Sequence, residues 1–212
     1  MNDKGLTRKL FIPVLLGTIR KGRESENVAR LIYDRARAHP EIETQLFDPR
    51  KMVFSMGDEG HELKNLNPEW RDAIIRADGL IIVSPEYNHG YPGSLKMVLD
   101  MLLKEYIHKA VALVGVSAGP WGGTRVIEKL VSVVRELGLV VTFTDLNFAN
   151  VENKFDSEGR LLEPEMLPRI DRFSTELVWM ARTLCLGRAN LPSRYHEQSG
   201  DCRLAPARSG PR

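Results

Sequence analysis

Cysteine is scarce in this chain of 212 residues, which contains only Cys185 and Cys202. Two cysteines cannot form the multiple crosslinks that hold small secreted domains together, so a disulfide framework is excluded. Cys185 stands in an apolar stretch and Cys202 in a polar one, and we interpret them as an ordinary core thiol and an ordinary surface thiol. The fold must therefore depend on a hydrophobic core, for which the chain is long enough.

Long hydrophobic runs are also missing. No segment approaches the roughly 20 apolar residues that cross a bilayer. The N-terminus lacks the apolar stretch of a signal peptide, so we expect a cytoplasmic protein. Charge of one sign does not dominate either, because the formal net charge is +2 and like charges do not form runs. The sequence therefore predicts no membrane span and no nucleic-acid partner.

Short apolar runs alternate with segments of helical spacing along most of the chain. The apolar runs predict strands at residues 11–16, 44–47, 79–84, 110–116 and 139–143. The helical spacing predicts helices at 25–39, 68–77, 93–105, 124–137 and 165–184. Apolar strands that alternate with helices are typical of a parallel sheet with right-handed crossovers. We therefore predict an α/β fold, a doubly wound five-stranded parallel sheet with helices on both faces.

This domain is expected to occupy residues 1–189. Residues 190–212 are rich in proline, serine and arginine and poor in apolar residues, which predicts a flexible C-terminal tail. Doubly wound sheets bind ligands beyond the carboxyl ends of their strands, where the strand order reverses. The loops after the first, third and fourth predicted strands are therefore the expected functional segments.

The first of these loops has the composition of a phosphate site. Thr18 and Ser25 supply hydroxyl groups, and Arg20 supplies a forked donor. Asn27 stands in the first turn of the next helix, whose free N–H groups favour an anion. Ser25 could instead be an ordinary helix N-cap, and Arg23 could hold phosphate or face solvent. The Gly-x-Gly-x-x-Gly fingerprint and the Walker phosphate loop are absent, which disfavours a dinucleotide-binding Rossmann unit and a P-loop NTPase.

The second and third loops suit a planar ligand. The second begins Pro85-Glu86-Tyr87-Asn88 and holds two prolines, two glycines and two tyrosines. A proline-braced aromatic loop supplies a flat wall and fixed backbone donors, which suits a flavin. The third, from Ser117 to Gly123, allows close backbone approach through its glycines and carries an indole. The alternatives are tyrosines that merely pack at the end of the sheet and a tight turn with Thr124 as N-cap.

Taken together, the three loops resemble the NADPH-dependent FMN reductase family, which includes quinone, azo and chromate reductases. The resemblance covers roughly residues 11–184. Its most specific part is similar to the family's flavin-ring signature: Pro85-Glu86-Tyr87-Asn88, then Pro92-Gly93-Ser94-Leu95-Lys96 and Leu99-Asp100. The family's phosphate-loop positions are occupied by Thr18, Arg20, Ser25 and Asn27. The chain departs from the common pattern by the extra Gly22-Arg23 and by Met97, where the family often has asparagine.

The resemblance implies a flavodoxin-like fold, FMN as cofactor, NADPH or NADH as hydride donor, and no metal. The residues that it assigns to cofactor binding are Thr18, Arg20, Ser25, Asn27, Pro85, Glu86, Tyr87, Asn88, Ser117, Gly119 and Gly122. It assigns no catalytic side chain, because the cofactor carries the chemistry. It implies a small acceptor such as a quinone, free flavin or azo compound, and a ping-pong cycle. It also implies a homodimer or homotetramer, in which Lys96 and Asp100 are candidates for an intersubunit pair.

Two other function classes remain open at this point. A flavodoxin-type electron carrier would bind FMN in the same place, although such carriers are typically acidic and this chain is slightly basic. A non-enzymatic flavin-binding module would use the same sheet without turnover. Steady oxidation of a nicotinamide cofactor would distinguish the enzyme from both.

Overall fold

The structure is a computed structural model that describes residues 8–55, 57 and 62–195. Strands and helices alternate along this part of the chain. The strands are Leu10–Phe11 (β1), Val14–Leu16 (β2), Ile42–Glu43 (β3), Leu46–Phe47 (β4), Gly79–Pro85 (β5), Ala110–Val116 (β6), Val140–Val141 (β7) and Leu146–Phe148 (β8). The α-helices are Ser25–Ala38 (α1), Leu63–Leu66 (α2), Pro68–Arg76 (α3), Gly93–Asp100 (α4), Thr124–Glu136 (α5) and Leu167–Asn190 (α6).

Every described strand pairing is parallel. The main sheet has the order β4-β2-β5-β6-β7, with β8 also paired to β6, and β1 pairs with β3. The pairs β1 and β2, β3 and β4, and β7 and β8 are each two parts of one extended segment. Counting each pair as one strand gives five strands in the order 2-1-3-4-5, which is the flavodoxin-like order. The predicted fold class is confirmed.

The interruptions of the strands are local. Pro13 separates β1 from β2, because proline has no N–H to donate to a neighbouring strand. The predicted fifth strand at 139–143 is shorter than expected, since the chain leaves the sheet after Val141 and pairs again at Leu146. Phe143 lies in this gap with 82% of its surface exposed. The apolar composition of that segment therefore overstated the length of its strand.

Two helix ends also differ from the prediction. Helix α4 ends at Asp100, and a separate 3-10 turn at Lys104–Tyr106 completes the segment that was predicted as one helix. Helix α6 continues six residues beyond the predicted Leu184, to Asn190. The predicted tail therefore begins at the end of this helix, and residues 196–212 lie outside the described residues.

Each face of the sheet has its own hydrophobic core. Helices α1 and α6 cover one face, where Val28, Ile32, Phe173 and Leu177 are almost completely buried. Helices α3, α4 and α5 cover the other with residues such as Trp70. Each fully buried side chain of this size stabilises the fold by about 1.5–3 kcal/mol relative to an exposed one.

Buried charges cluster at the amino ends of β5 and β6. The Asp78 carboxylate is 1% exposed and accepts hydrogen bonds from Arg8 at 2.7 and 2.8 Å and from Arg188 at 3.1 Å. Nearby, Nζ of Lys109 donates to the carbonyl oxygens of Ile74 and Ile75 at the end of α3. This end of the sheet is thus held by charged hydrogen bonds from several segments of the chain.

Cys185 lies in α6 beside this charged cluster. It is completely buried, as expected for a core residue, but it is disulfide-bonded. The interpretation of Cys185 as a free core thiol is therefore wrong, because local apolar composition reports burial and carries no information on crosslinking. Cys202, the other cysteine of the chain, lies outside the described residues.

Candidate active site

The loops after β2 and β5 meet because these two strands are neighbours in the sheet. The Gly17 N–H donates to the carbonyl of Val83 at 2.8 Å. The Thr18 hydroxyl, which is almost completely buried, lies 3.2 Å from the Tyr87 hydroxyl. Ser94 at the start of α4 reaches the Gly17 carbonyl at 3.4 Å. Two of the predicted site loops are therefore joined by direct contacts at the carboxyl edge of the sheet.

The first loop, residues 17–24, is predicted to bind a phosphate and is called the phosphate loop from here on. Ser25 is the first residue of α1, and its buried hydroxyl has no hydrogen-bond partner among the described residues. The N-cap position belongs to Glu24, which makes no side-chain cap, so the N-cap interpretation of Ser25 is wrong. Arg20 is exposed and its guanidinium lies 5.2 Å from the centre of the Tyr87 ring. Asn27 is half-buried on the first turn of α1.

Arg23 takes neither of the roles that the sequence left open. Its side chain is 1% exposed and forms ion pairs with Asp48 at 2.5 Å and with Glu26 at 3.2 Å. Burial by itself would raise the pKa of Asp48, but the hydrogen bonds from Arg23 and from the Arg50 N–H outweigh it and lower that pKa. Arg23 is therefore a buried, paired cation within the phosphate loop.

The second loop is a tight hairpin. Tyr87 and Gly90 exchange backbone hydrogen bonds of 2.9 and 3.0 Å. The two residues between them, Asn88 and His89, have φ angles of 50° and 63°, as a type I′ turn requires. Asn88 is exposed at the tip, whereas Pro85 ends β5 and is buried. The Tyr87 ring is thus held at a fixed place between the phosphate loop and this turn.

Glu86 connects the second loop to β6 and α5, the two elements that the third loop joins. Its N–H donates to the Val116 carbonyl at 2.8 Å. Its carboxylate is 8% exposed and accepts from the Arg125 N–H at 3.2 Å and from the Arg125 guanidinium at 3.3 Å. A carboxylate is favourable at this place because the first N–H groups of α5 carry a partial positive charge. The side chain of Glu86 is therefore directed at α5.

The third loop, residues 117–123, packs closely on the end of β6. Gly122 and Gly123 have φ angles of 60° and 77°, and a Cβ at Gly115 would lie 2.6 Å from the carbonyl oxygen of Gly123. Ser117 donates to the Gly119 carbonyl at 2.8 Å. The expected tight turn is present, but Gly123 is the N-cap residue of α5 and the Thr124 hydroxyl donates backwards to the Trp121 carbonyl.

Comparison with known proteins decides which family this architecture belongs to. Residues 11–153, more than half of the chain, match the family model of the NADPH-dependent FMN reductases. The chain belongs to the NADPH-dependent FMN reductase family. Membership in this family supports FMN as the cofactor and NAD(P)H as the reductant.

The names of the relatives of this FMN reductase family member mention different electron acceptors. The chain is 31% identical over 120 residues to an NADPH azoreductase of Bacillus sp. (strain OY1-2), which covers 55% of this chain and 64% of that protein. It is 28% identical over 175 residues to a quinone reductase of Escherichia coli (strain K12), covering 78% and 92% of the two chains. The chain thus spans less than two thirds of the azoreductase.

Among solved structures, the fold resembles FerB, a flavoenzyme NAD(P)H:(acceptor) oxidoreductase from Paracoccus denitrificans. The TM-score is 0.70 at 18% identity, with 82% of this chain and 98% of FerB covered. A structure of NADH:FMN oxidoreductase (EMOB) in its apo form gives a TM-score of 0.64 at 19% identity, covering 79% and 89%. These likenesses establish the shared fold.

The residues of this FMN reductase family member fit the cofactor that the family uses. The unpartnered hydroxyl of Ser25 lies at the start of α1, where a helix favours an anion such as a phosphate. Tyr87 supplies an aromatic wall beside it, and Gly119 leaves open space where another residue would have a Cβ. A phosphate group and a flat ring therefore both find complementary groups at this edge of the sheet.

Potential metal ligands are scattered over the described part of the chain. Within it, histidine, cysteine, aspartate and glutamate side chains do not form a group of three that could hold a metal ion. No described helix is both long enough and apolar enough to cross a bilayer.

A cavity of about 450 Å³ lies apart from the three loops, beside the edge strand β4. Its walls include Phe47, Met52 and Trp70, and the residues predicted to bind cofactor do not line it. It approaches the phosphate loop only at Asp48, whose carboxylate binds Arg23. We therefore assign the candidate active site to the carboxyl edge of the sheet, where the polar groups converge.

Proposed function

We propose that this protein is an FMN-dependent NAD(P)H oxidoreductase that reduces small planar acceptors such as quinones, free flavins or azo compounds. The observation that carries the proposal is the direct contact between the phosphate loop and the Tyr87 hairpin at one edge of a flavodoxin-like sheet, with Glu86 bound to the start of α5 beside the third loop. Family membership supplies the identity of the cofactor, and the names of the relatives supply the classes of acceptor.

The phosphate loop and the start of α1 would hold the cofactor phosphate. The Ser25 hydroxyl and the backbone N–H groups are neutral donors there, and Arg20 adds a charged donor at the surface. The Tyr87 ring and the backbone of Ser117 to Gly122 would flank the flavin ring. Glu86 would act indirectly, because its carboxylate fixes the second loop against α5.

When bound, FMN supplies the hydride acceptance and two-electron delivery that protein side chains lack. The chain's own contribution is binding and orientation, and we assign no side chain the role of nucleophile. The exposed rim offers Trp121 and Asn88 to an incoming planar molecule. A flat, open rim discriminates weakly between planar oxidants. One such surface would receive nicotinamide and acceptor in turn, so we expect ping-pong kinetics.

We also propose that the protein is a homo-oligomer with a folded domain at residues 1–189 and a tail at 190–212. Lys96 and Asp100 form an ion pair of 2.5 Å within α4, and both side chains are about half exposed. As an exposed pair four residues apart, it stabilises the helix by only about 0.3–0.5 kcal/mol. Whether the pair lies at an intersubunit contact depends on the oligomer. Mass measurement in solution tests whether the protein forms one.

The direct test is an absorbance experiment on the purified protein reconstituted with FMN. We expect the flavin absorbance to bleach when NADPH is added without oxygen and to return when a benzoquinone follows. Bound flavin that NADPH does not bleach would favour the electron carrier or the non-enzymatic module. Failure to bind FMN at all would refute the proposal.

Replacing Arg20 by alanine should weaken FMN binding by roughly tenfold or more, because a charged hydrogen bond to the phosphate is lost. Arg20 is exposed, so the fold should remain intact. The dissociation constant is measured by quenching of flavin fluorescence. Arg37→Ala, which removes an exposed arginine at the far end of α1, is the matched control and should bind FMN normally. Equal affinity of the two variants would remove Arg20 from the site.

A further inference from the structure

Three consecutive carbonyl oxygens of the phosphate loop accept hydrogen bonds from two arginines. The Arg23 guanidinium donates to the carbonyl of Thr18. Arg50, in a 3-10 turn after β4, donates through Nε to the carbonyl of Ile19 at 3.1 Å. Its Nη2 donates to the carbonyl of Arg20. The orientation of three successive peptide groups is therefore fixed by side chains.

The two arginines lie together on one side of the loop, because they share the same acids. Asp48 binds the Arg23 guanidinium at 2.8 and 2.5 Å and accepts from the Arg50 N–H at 3.0 Å. Glu26 lies 3.2 Å from Arg23 Nε and 3.8 Å from Arg50 Nη1. Arg23 and Arg50 thus share two carboxylates, of which Glu26 also pairs with Arg30 at 2.7 Å.

Peptide geometry determines which backbone groups lie on the side of the loop opposite to the two arginines. The C=O of one residue and the N–H of the next point in opposite directions in a trans peptide, and the described chain has no cis peptide. The N–H groups of Ile19, Arg20 and Lys21 therefore point away from the arginines. The Arg20 N–H donates to the Thr18 hydroxyl oxygen at 3.3 Å, and that hydroxyl also contacts Tyr87. Among the described residues, none accepts from the N–H of Ile19 or Lys21.

A row of N–H groups directed to one side is an anion-binding arrangement. We propose that Arg50 and Arg23 form a clamp that sets the phosphate loop in its anion-binding conformation before the cofactor arrives, and that Arg50 is a positioning residue for the FMN phosphate. The inference rests on the proposed function. Arg50 acts through the backbone, because its Nε and Nη2 donate to carbonyl oxygens of the loop.

The clamp determines at which step the loop becomes ordered. A loop that becomes ordered only on binding loses conformational entropy at that step, which weakens binding. Here the ordering accompanies folding, because Arg50 lies in the turn that follows β4 and Arg23 is buried. Loss of the clamp should therefore weaken recognition of the phosphate and leave contacts with the flavin ring unchanged.

The test compares FMN with riboflavin, which has the same ring system and no phosphate. Arg50→Met keeps a long side chain but removes the guanidinium. We expect its affinity for FMN to fall roughly tenfold and its affinity for riboflavin to stay unchanged. Hydrogen–deuterium exchange of residues 17–24 in the cofactor-free protein should become faster. Arg30→Met is the matched control, because Arg30 also pairs with Glu26 at 2.7 Å and makes no contact with a loop carbonyl.

The outcomes separate this inference from the proposed function. Failure of the unaltered protein to bind FMN would refute the proposed function itself. If the unaltered protein binds FMN, equal FMN affinities of Arg50→Met and Arg30→Met would overturn the clamp. Equal losses of FMN and riboflavin affinity in Arg50→Met would overturn it as well, because the effect would then not concern the phosphate.

Discussion

Replacing Gly115 by alanine is expected to destabilise the protein by about 3 kcal/mol and to abolish FMN binding. The added Cβ would lie 2.6 Å from the Gly123 carbonyl oxygen and 2.8 Å from that of Gly122. Both obstacles are backbone atoms, so relief requires the third loop to move away from β6. Overpacking of this kind typically costs about 1–3 kcal/mol, and a displaced loop cannot flank the flavin. Thermal unfolding and FMN titration measure the two effects.

The matched control is the same substitution in a place without such contacts. Gly187 lies inside α6, and a Cβ there would meet no atom within 4 Å. Gly187→Ala should be neutral or stabilise the fold by about 0.5–1 kcal/mol, because alanine favours the helix. A Gly115→Ala protein with unchanged melting temperature and FMN affinity would show that the third loop does not depend on this close approach.

Replacing Lys109 by methionine should change how stability depends on pH. Burial, followed by the nearby charge of Arg188, lowers the pKa of Lys109 from 10.5 to about 7. Between these values the unfolded chain holds a proton that the folded protein does not, so the lysine makes the free energy of unfolding rise with pH. The expected slope is about 1.4 kcal/mol per pH unit. The negative charges of Asp78 and Glu105 raise the pKa of Lys109, but they do not outweigh the effect of burial.

The measurement is urea unfolding of both proteins between pH 6 and 9.5. The difference in stability, native minus Lys109→Met, should grow above about pH 7 and be flat below it. Lys104→Met, which removes an exposed lysine from the adjacent 3-10 turn, controls for the loss of a positive charge. A difference that does not vary with pH would show that Lys109 remains protonated in the folded protein.

Much of the fold could be predicted because the strands are buried on both faces and therefore read as continuous apolar runs. Strand β6 was predicted with its observed bounds, 110–116. The errors arise where tertiary contacts oppose local preference. The β-branched segment after Val141 leaves the sheet, and α4 ends at Asp100 although apolar residues continue. The apolar pattern of a segment predicts its burial. It does not predict the hydrogen bonds that determine where a strand or a helix ends.

The candidate site was predictable in position but less so in detail. The rule that ligands bind at the switch point placed the three loops together, and the structure brings them together. Asp48 and Arg50 were missed, because they follow β4 and contact the phosphate loop from 25 or more positions away in the sequence. The only local signal was Asp48-Pro49, an N-cap followed by proline, which is typical of a helical turn. Nothing local connects that turn to Arg23.

The carboxylate of Asp78 has a consequence for how this chain could be rearranged. It binds Arg8 near one end of the described chain and Arg188 near the other, at the edge of the sheet opposite the three loops. A short peptide that joins the two ends would close a loop at little entropic cost. Circular permutants that open the chain in a surface connection far from the loops should therefore keep the cofactor site, with Asp78 at the new junction.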